Sequence, residues 1–161
     1  MTIRKDELCT LKAKWEEVRK QTKGLGEFLR AAKLLDEDFD SHLACHSNLV
    51  HYFRATTLEH AINFDKVNEE RTRAMTSLSR EVRREDLEEI TLASLNFKLE
   101  KCSAAEFYQL LWQKVQEYQV DDRSYPNLAM YVEYLQITAR LDRNAILKEI
   151  LEFTQEMFQD L

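Results

Sequence analysis

Glycine and proline are almost missing from this chain, at two and one in 161 residues, against the roughly 7 % and 5 % usual in globular proteins. The tight turns of β-sheets recruit those residues for their backbone freedom or their fixed φ. Their scarcity excludes a many-turned β architecture and implies few connections between long helices. Two glycines are also too few for a Gly-rich phosphate loop, and no Gly-x-Ser-x-Gly elbow occurs. Cysteine is sparse as well: Cys9, Cys45 and Cys102 are odd in number, far apart and without a Cys-x-x-Cys pair. Reduced, packed thiols in a cytoplasmic protein are the expectation. No run approaches the roughly 20 apolar residues of a membrane-spanning helix, so no transmembrane segment is expected. The opening MTIRKDELCTLKAKW places charges where a signal peptide has its apolar centre.

Apolar residues at 44 % and charged residues at 32 % make a soluble globular mixture, and this length is typical of one domain. The net charge of −6 is uneven. Residues 1–35 hold nine Lys/Arg against five Asp/Glu, residues 36–102 nine against fourteen, and residues 103–161 five against ten. An acidic body opposes phosphate neutralisation, which dominates non-specific nucleic-acid affinity, so no nucleic-acid partner is expected.

Helical periodicity organises the chain. Leu8, Leu11, Trp15 and Val18 predict a first helix over Thr2–Thr22, with Gly24 as the left-handed residue behind it. Phe28, Leu29, Ala32 and Leu35 mark a short second helix, and residues 36–40 an acidic connection. Ser41 is a predicted N-cap. From His42 to Leu78 there is neither glycine nor proline, which reads as one long helix or as two with a bend near residues 63–65. Ser79 is a candidate cap before the helix of Leu87, Ile90, Ser94 and Phe97. Ser103 and Glu106 fit a capping box, followed by Phe107, Leu110, Leu111, Val115 and Tyr118. Residues 119–125 read as a loop, and Pro126 suits the first turn of the next helix. Asp142 is expected to cap the last helix, whose two apolar sides (Ile146, Ile150, Phe153, Met157 and Leu147, Leu151, Phe158, Leu161) call for more than one neighbour. The fold class expected is all-α: a single-domain bundle of about six or seven helices, up-and-down or orthogonal, over residues 1–161, either alone or as the helical part of a longer protein. No internal repeat is evident. Residues 103–161 read as three successive helices but lack the tetratricopeptide pattern.

Two constellations are candidates for chemistry. On one helix His42, Cys45 and His46 stand at i, i+3 and i+4 and share a face. Two imidazoles and a thiolate suit zinc, with Asp38 or Asp40 as a fourth ligand, although a plain helix start with a packed cysteine explains the same residues. A di-metal carboxylate site is excluded in its standard form, because no Glu-x-x-His occurs. Arg54 and His60, with five residues between them on a predicted helix, resemble the Arg…His motif of the HEPN ribonucleases, which are also small helical bundles. That resemblance implies His60 as general base and Arg54 as phosphate ligand. It covers two residues, and Ala55 follows the arginine where that family usually has a polar residue.

The remaining signals point to binding. Arg4, Lys5, Lys12, Lys14, Arg19, Lys20 and Lys23 make the first helix basic, fit for an anionic membrane or an acidic partner. Packing on the protein's own acidic body is the favoured reading. Tyr118, Tyr125, Tyr131 and Tyr134 cluster around Pro126, and amphipathic tyrosines suit either an interface or the end of a core. The function expected is a helical protein–protein interaction or scaffold domain without catalytic activity, contacting a protein partner or forming a homo-oligomer through Tyr125, Tyr131, Tyr134 and Trp15. The alternative is a metal-binding bundle or a HEPN-like ribonuclease. No cofactor is expected, zinc being the alternative.

Overall fold

A computed structural model describes residues 5–21 and 24–159, with the side chains of all of these except 5, 6, 8 and 17–21. The described residues form nine α-helices and one 3₁₀ turn, with no strand among them. In chain order these are α1 (Lys5–Gln21), α2 (Leu25–Leu35), α3 (Phe39–Ala44), α4 (Ser47–Ala61), α5 (Phe64–Glu81), α6 (Arg84–Lys98) and α7 (Ala104–Glu117). The 3₁₀ turn Asp122–Ser124, α8 (Pro126–Thr138) and α9 (Arg143–Gln159) follow. The all-α class stands, and the expected six or seven helices become nine. No helix is long and apolar enough to cross a membrane among the described residues.

Several predicted caps are observed. Gly24 adopts the expected left-handed φ of 82°, but at the start of α2, where its carbonyl accepts from the Phe28 amide, and not as the described close of α1. Ser103 and Glu106 form the full capping box, Pro126 opens α8, and Asp142 Oδ1 accepts from the amides of Asn144 and Ala145. The extra helices arise between residues 39 and 81. Ser41 does not cap a helix but lies inside α3, which begins at Phe39 within the expected acidic connection. The run from His42 to Leu78 is broken twice, after Ala44 and after Ala61, and Ser79 lies inside α5 with its hydroxyl donated to the Thr76 carbonyl. At the second break Asn63 turns extended and its side chain accepts from the Lys66 amide, an N-cap in place of a bend. The predicted ends of the first helix at Thr2 and Thr22, and Leu161, lie outside the described residues.

Two compact units are present, Met1–Thr56 with Leu141–Leu161, and Thr57–Arg140. In the first, α1, α2, α3, the larger part of α4 and α9 enclose Leu11, Phe28, Leu29, Phe39, Leu49, Phe153 and Met157. In the second, α5, α6, α7 and α8 enclose Val67, Ala74, Leu78, Ile90, Phe107, Leu111, Val115 and Leu128. Burial of these side chains supplies the main stabilisation, at about 1.5–3 kcal/mol for each large aliphatic or aromatic group.

The second half of the chain repeats the first, which corrects the expectation of no repeat. Helices α6, α7, α8 and α9 begin at Arg84, Ala104, Pro126 and Arg143, each 79 positions after the start of α1, α2, α4 and α5 at Lys5, Leu25, Ser47 and Phe64. The register holds in the core: Leu11 and Ile90, Phe28 and Phe107, Ala32 and Leu111, Leu49 and Leu128, Val67 and Ile146, and Leu78 and Met157 are buried pairs at that offset. Only eight residue pairs between 1–82 and 80–161 are identical, so the repeat lies in the roles of residues and not in their names. Between the matched helices, α2 stops at Leu35 and α3 follows, whereas α7 runs on to Glu117 before the 3₁₀ turn.

The same polar bonds recur. Glu149 of α9 accepts from the Asn48 and Leu49 amides at 2.8 and 3.0 Å and from the Asn48 side chain at 2.7 Å, at the start of α4. Its counterpart Glu70 of α5 accepts from the Leu128 amide and the Asn127 side chain, both at 2.8 Å, at the start of α8. His46 and Glu156 bond at 3.1 Å, and their counterparts Tyr125 and Ser77 bond at 3.2 Å. In each unit, then, the closing helix of one repeat docks on the earlier helices of the other. A carboxylate at a helix N-terminus satisfies orphan amides and favours the dipole. Glu70→Ala and Glu149→Ala are each expected to lower stability by about 1–3 kcal/mol. Denaturant titration checks this, and a large loss at one site with none at the other would contradict the equivalence of the two.

Candidate interaction surface

The sequence-predicted metal ligands are not brought together. Because α3 ends at Ala44, His46 lies beyond it, and the three residues do not share one helical face. His42 Nδ1 stands 3.0 Å from Asp36 Oδ2, Cys45 Sγ points at the Ser41 carbonyl at 3.9 Å, and buried His46 bonds Glu156. No group of three or more His, Cys, Asp or Glu is placed to hold a metal ion among the described residues. Arg54 and His60 are both exposed on α4, and a spacing of six separates them by about 120° around the helix.

The predicted interaction residues sit mostly in cores. Tyr125 is buried, bonds Ser77 and lies under the Arg73 guanidinium at 5.6 Å. Tyr131 is half-buried among Phe64, Tyr108 and Tyr134, with ring centroids 5.9, 4.9 and 6.3 Å away. Burial pushes the Tyr131 and Tyr134 phenols above their usual range. Trp15 is half-buried on Phe28, with centroids 5.4 Å apart. Of the residues named for the basic first helix, Lys12 and Lys14 are exposed, and Arg4, Lys23 and the side chains of Lys5, Arg19 and Lys20 lie outside the described residues.

A surface missed by sequence reasoning lies on α6. Leu92 and Leu95 on α6 and Leu99, the residue that closes it, are 59, 51 and 54 % exposed; the Leu99 amide still bonds the Leu95 carbonyl, and spacings of three and four put the three on one face. Glu85 and Glu88 continue the same line toward the helix start, giving the alternating three–four spacing of a coiled-coil seam. Arg84, Leu87 and Thr91 flank it in a shallow groove with Glu88, Leu92 and Leu95. The opposite face carries Ile90 and Phe97 into the core of the second unit. The apolar period was visible in sequence, but Leu92, Leu95 and Leu99 could be assigned outward only once Ile90 and Phe97 were seen to take the inner face.

A charged cluster fixes that orientation. Asp86 of α6 and Lys114 of α7 are both buried, with Nζ 2.5 Å from Oδ1. Lys114 also reaches Glu89 at 3.1 Å, Arg83 reaches Asp86 at 3.0 Å, and the Tyr118 hydroxyl donates to Asp86 Oδ2. These bonds, Lys114 foremost and then Tyr118, hold the Asp86 carboxyl down at about 2, and Asp86 and Glu89 push the Lys114 ammonium up. A depressed carboxyl contributes stability that is full above its unfolded value near 4 and is lost as pH falls through the folded value. Asp86→Asn should therefore lower the denaturation midpoint at pH 7, and its deficit against wild type should shrink between about pH 4 and pH 2. A pH-independent deficit in acid titrations would contradict the ionic origin.

Comparison of the chain with family models, with curated proteins and with solved structures finds no match.

Proposed function

We propose that this chain is a helical interaction module that binds a protein partner through the leucine face of α6, in a binding and not a catalytic role. One observation carries the reading. Leu92, Leu95 and Leu99 are each more than half exposed on a single face, and the corresponding positions of the first repeat, on α1, are Ala13, Glu16 and Lys20. The same fold is thus built once with an alanine and two charged residues there and once with leucines, so packing does not require the leucines. Exposed leucines in a row are costly for a monomer and mark contact sites. The partner that fits is an amphipathic helix whose apolar residues recur at three and four, with basic residues beyond them to meet exposed Glu85 and Glu88.

A photo-crosslinking residue in place of Leu95 in the full-length protein should give one discrete adduct of higher mass in cells. That adduct should vanish when Leu92 and Leu99 are also changed to Glu, while the free energy of unfolding stays within about 1 kcal/mol of its starting value because the sites are exposed. An adduct equal to twice the chain mass would assign the partner to a second copy. No adduct, or one indifferent to Leu92→Glu and Leu99→Glu, overturns the reading.

A further inference from the structure

The repeat provides an internal comparison at a second place. In the first unit, Trp15 lies against Phe28 with centroids 5.4 Å apart, and Phe158 packs at the same core. The residues 79 positions away in the second unit are Ser94 and Ser79. Two large rings are replaced there by two hydroxymethyl groups. Phe97 makes up part of the loss by stacking on Phe107, with centroids 5.0 Å apart and planes 8° apart. The rest stays open as a cleft of about 450 Å³ lined by residues that include Arg71, Met75, Ser79, Ser94, Phe97 and Lys98. Such a volume lies within the range of small-ligand sites.

The lining has a definite chemistry. Phe97, Phe107 and Met75 provide an apolar, aromatic wall. Two cations border it. Arg71 donates to the Tyr108 hydroxyl at 3.2 Å, and neither Arg71 nor Lys98 forms an ion pair among the described residues. The hydroxyls of Thr72, Thr76 and Ser79 are donated to carbonyls of their own helix, so they present oxygen lone pairs and no spare protons. An occupant therefore needs a planar ring for the wall, an N–H or O–H donor for those oxygens, and a negative charge placed on the side of Arg71 and Lys98.

We infer that the cleft between α5, α6 and α7 is a binding site for a small planar aromatic carboxylate, whose ring takes the space that Trp15 and Phe158 fill in the first unit. This site is separate from the leucine face, because Ser94 and Phe97 leave α6 on other sides than Leu92, Leu95 and Leu99, and the groove beside that face shares no lining residue with the cleft.

Titration of the full-length protein with indole-3-acetate, followed by backbone amide shifts and calorimetry, tests the assignment. Saturable binding of one equivalent is expected, with shifts at Met75, Ser94 and Phe97, and with indole and tryptamine weaker by about tenfold or more. Ser79→Phe with Ser94→Trp imports the rings of the first unit. It should reduce indole-3-acetate affinity at least about tenfold while leaving the denaturation midpoint unchanged or higher. If that variant folds poorly, Arg71→Gln with Lys98→Gln should keep the fold and abolish the preference for the acid over indole. Absence of saturable binding, a preference for tryptamine, or affinity that survives both pairs of substitutions would overturn the site.

Discussion

The rest of this structure depends on a carboxylate placed at the start of a helix by another helix distant in sequence. Glu149 closes the first turn of α4 and Glu70 that of α8. Neither receiving helix begins with a side-chain cap in its own sequence: α4 starts at Ser47 after buried His46, and α8 starts at Pro126 after buried Tyr125. An uncapped helix start leaves amides without partners, which is unfavourable away from water. The closing helix of each repeat cures that defect and, in the same register, buries Ile146, Phe153 and Met157, or Val67, Ala74 and Leu78. The polar bond sets the register, and the apolar contacts supply most of the stabilisation.

Because that device appears twice, the molecule contains its own comparison. Positions that agree between the repeats are those the fold requires: an Asx cap at Asn63 and Asp142, a buried aliphatic four residues on, and a glutamate seven residues on. Positions that differ are released from that requirement. The Asp86–Lys114 pair belongs to this second group, since its counterparts are Glu7 and Leu35. Breaking a buried pair of this kind leaves an uncompensated charge, so once present it constrains how α6 and α7 pack. That constraint turns Leu92, Leu95 and Leu99 outward. The cleft beside Phe107 has the same logic, as a place where the first unit spends two aromatic rings on filling space and the second leaves it open.

Much of the fold could be read from the residues in advance, and the site largely could not. The capping box at Ser103, the role of Pro126 and the cap at Asp142 are local devices that need only a few neighbouring residues to operate. The tyrosines around Pro126 are close in sequence, but only Tyr131 and Tyr134 of them are in ring contact, and whether a ring faces a core or a partner depends on what lies opposite. Tyr125 bonds Ser77 and lies under Arg73, both more than 45 positions away. His42, Cys45 and His46 illustrate the reverse case. Their spacing would share a face on a continuous helix, and the end of α3 at Ala44 removes the premise.

The sequence by itself determined the helical class and the caps formed within a few residues, because backbone hydrogen bonds of a helix are local and the near-absence of glycine and proline leaves few other options. The tertiary structure alone decided that residues 39–81 hold three helices. The break at Cys45–His46 contains neither glycine nor proline, and it is stabilised by Glu149 and Glu156 from about a hundred positions away. It also revealed the repeat, since eight identical pairs carry too little signal to be seen as letters. Equal helix starts, equal buried positions and equal bonds show it because physical roles, and not residue names, hold a fold together.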